Sequence, residues 1–273
     1  MDRLWLVVAL VGMLNLINTL SYTVHVSGVA THRLATASSL FNVLTLFFHL
    51  AAGIQAPLLA KSVEDAIVRI QSGALFGAEM AALSAGIKSI IWGGCAGTVC
   101  GILFLPAFTA AFILLIRAFD RVKTVPRLLL FGMTRFKWRK LWQWLSVPSI
   151  SILWRNISLE IPILLILWHM IVTAVFTASS LAAVYAGFLR PAYRTTVLAM
   201  APFITGIAGV ILVVMVEPVI AAITDEAMRG ARPYRDVKAM VMYLVFGRLA
   251  GVCAAHLLVF PMARFLAGLV RYL

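Results

Sequence analysis

The sequence predicts an all-α polytopic membrane protein of about six transmembrane helices, and three observations carry that expectation. Apolar residues make up 63% of the 273 positions and charged ones only 12%, about half the charged share of a soluble domain. Six long runs are free, or nearly free, of charge. The Lys and Arg residues gather between those runs. Crossing a hydrocarbon core of about 30 Å takes about 20 helical residues, and each run meets that length.

The first run, Leu4–Tyr22, follows Met-Asp-Arg and is not followed by a small-residue cleavage site, so it is expected to stay as a helix rather than be removed as a signal. The second is Leu34–Ala60 and the third Ser89–Ile116. Gly93, Gly97 and Gly101 recur in steps of four in the third and make a smooth face on which another helix can approach closely. Segment 117–160 follows, with 9 Lys or Arg; Arg135, Lys137, Arg139 and Lys140 alternate there with Phe136, Trp138, Trp142 and Trp144. That mix suits an interfacial helix on anionic lipid headgroups, or a positive-inside stop beside an aromatic belt. The fourth, fifth and sixth runs are Ile161–Leu189, Thr195–Thr224 and Ala239 to about Ala263. If six spans alternate, loops 22–33, 117–160 and 224–238 share one side and hold 14 Lys or Arg, against 8 on the other. The positive-inside rule then makes the 14-charge side cytoplasmic and places both termini outside.

Composition and spacing also argue against other classes. A net charge of +13 could attract nucleic acid, but it sits in membrane-flanking loops and is better explained by topology. Cys95, Cys100 and Cys253 lie in apolar runs without zinc or C-x-x-C spacing and read as packing residues. There is no G-x-x-x-x-G-K-[ST] loop and no H-E-x-x-H helix. Only Glu217 among the acids falls within a run, which leaves little with which to hold Mg²⁺. No cofactor is expected, and a transporter is favoured over an enzyme.

The two halves of the chain resemble each other. Pro57-Leu-Leu-Ala-Lys-Ser-Val-Glu-Asp-Ala66 aligns without gaps on Pro218-Val-Ile-Ala-Ala-Ile-Thr-Asp-Glu-Ala227, an offset of 161 that also places Arg33 on Arg194. A proline followed seven and eight residues later by an acidic pair is a costly coincidence in a chain with ten acids. Gly93, Gly97 and Pro106 similarly resemble Gly247, Gly251 and Pro261. Three-helix units at 1–116 and 161–273, joined by the basic connector 117–160, are therefore expected; an odd number of spans inverts the second copy, as in many transporters.

Ionisable groups inside a bilayer cost about 2.5–3.5 kcal/mol on insertion scales and are functional candidates by default. Arg248, about ten residues into the sixth run, needs an anionic partner: either Glu217 in a structural ion pair or a ligand phosphate in a translocation cavity. Arg264 sits near the end of its span, where it can snorkel. His49, His169 and His256 read as hydrogen-bonded packing histidines, since no acid lies one turn away. Asn15, Asn18, Thr19, Asn42 and Gln55 offer uncharged hydrogen bonds to other helices or to a sugar.

The stretch Asn18-Thr-Leu-Ser-Tyr22-Thr-Val-His-Val-Ser-Gly28-Val, then Thr31-His-Arg33 and Phe41-Asn42, resembles the N-terminal signature of the Amj family, and Pro57-Leu-Leu-Ala-Lys61 fits as well. The specific likeness covers about the first 65 residues. It implies a bacterial lipid II flippase, an alternative to MurJ, in the plasma membrane. Such a protein would move undecaprenyl-diphosphate-linked disaccharide pentapeptide from the inner to the outer leaflet. Its partners would be lipid II and anionic membrane lipids, with a homo-oligomer left open. Candidate substrate contacts are Arg33 and Lys61, which the likeness carries over, together with Arg248, Glu217, Arg194, Asn18 and Asn42. The alternative reading is a membrane enzyme acting on a polyprenyl-phosphate or phospholipid headgroup.

Overall fold

A computed structural model describes residues 2–122 and 161–272. The readings made for the connector between them, including its amphipathic basic segment, lie outside the described residues, as does the side chain of His49. Within that range the chain is built from helices: α1 (Asp2–Leu20), α2 (Thr23–Thr31), α3 (Leu34–Gln71), α4 (Phe76–Val122), α5 (Ile163–Leu189), α6 (Arg194–Ala199), α7 (Ala201–Ile211), α8 (Glu217–Met228) and α9 (Tyr234–Leu269).

Five segments among the described residues are long and apolar enough to cross a bilayer: Leu4–Thr31, Phe76–Phe119, Ile163–Leu189, Pro191–Met228 and Tyr234–Leu269. The second expected span falls on α3, a 38-residue helix whose Leu34–Leu46 portion is a shorter apolar stretch. This is a multi-pass membrane protein. Large apolar side chains such as Trp5, Ile54, Phe203, Val210, Val214, Leu257 and Phe265 point outward, the arrangement expected where lipid, not water, covers the surface.

Segment 22–33, expected as a loop, is corrected by α2. Thr23, Val24, Val26, Ser27, Gly28 and Val29 are buried there. Its polar side chains fold back on helix carbonyls: Thr23 donates to Leu20 O (2.7 Å), Ser27 to Thr23 O (2.6 Å) and Thr31 to Ser27 O (2.8 Å). Hydroxyls satisfied in this way can stay inside a bundle. The chain reverses only at His32, whose φ of 54° caps α2 in the left-handed conformation.

Helices α1, α4, α5 and α9 form the centre. Helix α1 packs along α4, and α5 along α9. Both seams depend on glycine: Gly93 and Gly97 of α4 lie against the carbonyls of Val8 and Gly12, and Gly247 and Gly251 of α9 lie against those of Ile166 and Met170. A Cβ at Gly97 would overlap the Gly12 backbone, and one at Gly251 would stand 2.5 Å from Met170 O. Helices α4 and α9 meet antiparallel, with Trp92 against His256, Cys95 against Cys253, and Lys88 over the Phe260 ring. The Pro191–Met228 span is peripheral, with only 11% of its most apolar stretch buried. Between α7 and α8 it opens into a π turn, Leu212–Val216, closed by Glu217 N–H to Leu212 O. Pro218, immediately after, lacks an N–H and crowds the carbonyl four residues back, which the wider turn relieves.

Candidate functional site

The buried apolar side chains fall into two clusters, and each draws on both ends of the chain. One contains Val7 and Val11 of α1, Ile87 to Cys95 of α4, Ala178 to Phe188 of α5, and Val252 to Ala267 of α9. The other contains Ile17 and Leu20, Leu105 to Ile116, Leu165, and Val237 to Val245 of the same four helices. Each central helix therefore passes from one apolar core into the other. At the crossing each carries polar side chains: Asn15 on α1, Thr98 on α4, His169 and Thr173 on α5, and Arg248 on α9. The result is a polar layer between the two apolar cores.

Arg248 is the charge in that layer. Its Nη2 donates to Asn15 Oδ1 at 3.1 Å. The Asn15 amide is held in turn by Nδ2 donating to Val11 O at 3.0 Å, which leaves the oxygen facing the guanidinium. Tyr22 belongs to the same cluster. Its hydroxyl lies 2.7 Å from His169 Nε2, and the two rings meet edge to face at 5.6 Å and 83°. Gly247 sets this approach, because a Cβ there would stand 3.3 Å from Ile166 Cγ2 and 3.6 Å from His169 Cδ2. Two nitrogens in the cluster, Arg248 Nε and His169 Nδ1, are buried without a hydrogen-bond partner among the described residues. When Tyr22 donates to Nε2, the ring hydrogen sits on Nδ1, and both orphans are donors. A cationic fork held by neutral groups, with unused donors beside it, is equipped to receive an anion.

The structural ion pair between Arg248 and Glu217 does not form. Glu217 is exposed at the start of α8, just past the π turn. The extra residue in that turn rotates the following helix by about 100° relative to a continuous α-helix. The other candidates lie away from Arg248. Asn18 and Asn42 are exposed on α1 and α3, and Arg33 is exposed where α2 turns into α3. Lys61 pairs with Asp65 at 3.2 Å, one turn along α3. Arg194 reaches Glu64 at 3.7 Å, linking the start of the fifth span to the far end of the second. Tyr22 and His169 complete the cluster and were absent from the expected substrate contacts. Their partners stand 147 and more positions away, beyond the reach of any local pattern.

Charged residues at the helix ends form further pairs. Arg69 and Glu79 make a two-pronged bridge across the α3–α4 turn, both bonds 2.8 Å. Arg232 joins Glu226 at 2.8 Å and reaches the buried Asp236 at 3.9 Å. Beside them an open groove of about 320 Å³ is lined by Pro162, Pro218, Val219, Ala222, Ile223 and Glu226.

Comparison with known proteins finds the family model described as "Amj: Alternate to MurJ" matching residues 10–270. A relative from Bacillus subtilis (strain 168), called lipid II flippase Amj, is 29% identical over 261 residues, 95% of this chain and 94% of the relative. No solved structure matches.

Proposed function

Because the chain belongs to the Amj family, we infer that it is a lipid II flippase of the bacterial plasma membrane, carrying the undecaprenyl-diphosphate-linked precursor from the inner to the outer leaflet. The observation that carries the reading is the polar layer around Arg248. A lipid-linked diphosphate must pass its charge through the hydrocarbon region while its tail stays in lipid. A guanidinium at mid-bundle, held by Asn15 and with no ion-paired carboxylate among the described residues, supplies what that charge needs on the way. No bond has to break. With the cell interior negative, outward movement of about two uncompensated negative charges releases roughly 4–5 kcal/mol at 100 mV.

The mechanism is alternating exposure of this layer by two inverted repeats. Several features support it. The facing partners of the glycine seams step together: Val8 to Ile166 and Gly12 to Met170 by 158 positions, Gly93 to Gly247 and Gly97 to Gly251 by 154. Each first span thus packs on its own third span in the same register. The antiparallel meeting of α4 with α9 is what a two-fold axis in the membrane plane requires, and such an axis also exchanges the two apolar cores. On the basic asymmetry of the loops, the face bearing residues 224–238 is cytoplasmic and both termini are outside.

The test is complementation. In a bacterium depleted of its other lipid II flippases, this gene should restore growth and outer-leaflet lipid II. Purified protein in liposomes should move lipid II and leave it chemically unchanged. Failure of both with verified membrane expression overturns the function, and a new lipid product would favour a headgroup-modifying enzyme instead.

A further inference from the structure

We propose that Asp225 is a gating residue that pairs with Arg33 in the opposite-facing state of the protein, in alternation with the Glu64–Arg194 pair seen here. The inference rests on the inverted-repeat reading and extends it to a residue outside the expected substrate contacts.

An ion pair joins the second and fifth spans. Glu64 follows Pro57 by seven residues near the end of the second span, and Arg194 opens the fifth. The repeat offset of 161 places Glu64 on Asp225 and Arg194 on Arg33. A two-fold axis therefore turns the contact Arg194–Glu64 into the contact Arg33–Asp225. With alternating spans the first pair lies on one membrane face and its image on the other. The neighbourhood of the image is partly assembled: Thr224, next to Asp225, stands 3.5 Å from His25 of α2, and Tyr234 donates to Val26 O at 3.2 Å.

The two faces nevertheless differ. Glu64 and Arg194 are within 3.7 Å of each other, whereas Arg33 and Asp225 are both exposed and do not pair with one another; Arg33 is engaged elsewhere. An exact two-fold would give both faces the same contact. A molecule with one pair made and its image unmade is closed at one face, and exchanging the conformations of the two repeats makes the second pair as it breaks the first. The groups are carboxylates and guanidinium ions in half-exposed positions, so each pair can open without stranding a buried charge.

The test uses full-length protein with Cys95, Cys100 and Cys253 replaced by Ala. Glu64→Cys/Arg194→Cys and Arg33→Cys/Asp225→Cys should each cross-link under copper-phenanthroline oxidation or with a short bifunctional thiol reagent. Trapping the first pair should suppress cross-linking of the second at least tenfold in the four-cysteine protein, and the reverse should hold. A charge exchange provides the functional arm. Arg33→Glu and Asp225→Arg should each depress outer-leaflet lipid II severalfold, and the double variant should recover it. Simultaneous closure of both pairs, or absence of the 33–225 cross-link in correctly inserted protein, overturns the gate. Because cross-linking needs no substrate, exclusive cross-links in a protein that moves no lipid II would overturn the transport reading and leave the gate standing.

Discussion

Replacing Arg248 by Gln separates a substrate contact from a structural one, and the structure fixes the sign of each effect. On the folding side the variant loses one hydrogen bond to Asn15, worth about 1 kcal/mol. It also removes a charge whose place in the bilayer costs about 2.5–3.5 kcal/mol on insertion scales. Since Glu217 is exposed and unpaired with this arginine, no buried acid is stranded. Abundance should therefore hold or rise. On the transport side, a charged hydrogen bond to phosphate contributes about 1.5–3 kcal/mol, so its loss should lower flipping by about 10- to 100-fold. Arg248→Lys keeps the charge but not the planar fork, and should fall between. The assay is outer-leaflet lipid II in flippase-depleted cells, normalised to immunoblotted protein and repeated in liposomes. Wild-type flipping by an abundant Arg248→Gln protein would refute the reasoning. Loss of abundance rescued by Glu217→Gln would show that the two side chains do pair.

Three further outcomes are expected. Gly97→Ala should sharply reduce the yield of monodisperse protein, because its Cβ meets the Gly12 backbone, whereas Gly206→Ala and Gly209→Ala, with nothing within 4 Å, should not; equal yields would disprove the α1–α4 seam. In intact cells an impermeant thiol reagent should label Ser72→Cys and spare Ala231→Cys, both at exposed turns, and the opposite pattern would reverse the orientation. Cys95 and Cys253, with sulfurs 3.3 Å apart on α4 and α9, should form an internal disulfide under oxidant that Cys253→Ala abolishes. Its absence would refute the antiparallel meeting of those helices.

Much of the fold was legible because bilayer crossing imposes a crude requirement, a length of apolar chain, that the runs satisfy one by one. The glycines of α4 likewise announced a close approach, and it is the one α1 makes. What stayed hidden depended on cancellation or on distance. Residues Thr23 to Thr31 fall in the expected loop between the first two runs, yet their hydroxyls bond to their own helix and the segment stays inside. Arg248 was visible as an anomaly, but its partners were not: Asn15 lies 233 positions away, and the Tyr22–His169 bond spans 147. Glu217 was a candidate partner because it is the acid within an apolar run, but which way it faces is set by packing around the π turn, and it is exposed at the start of α8.

The shared ownership of the two apolar cores bears on how the protein is made. Neither cluster can be completed by the first three spans, since each needs residues from beyond position 160. With the first three spans alone, each core lacks the residues that α5 and α9 contribute to it. The bundle closes only when α9 supplies the side chains of both cores on either side of Arg248. Until then the nascent chain offers a membrane protease or insertion factor an apolar but poorly packed target, with Asn15 still lacking its arginine. A fragment ending at residue 116 should accordingly be inserted and then degraded, and co-expression of residues 161–273 should rescue it, which makes the second half an assembly factor for the first.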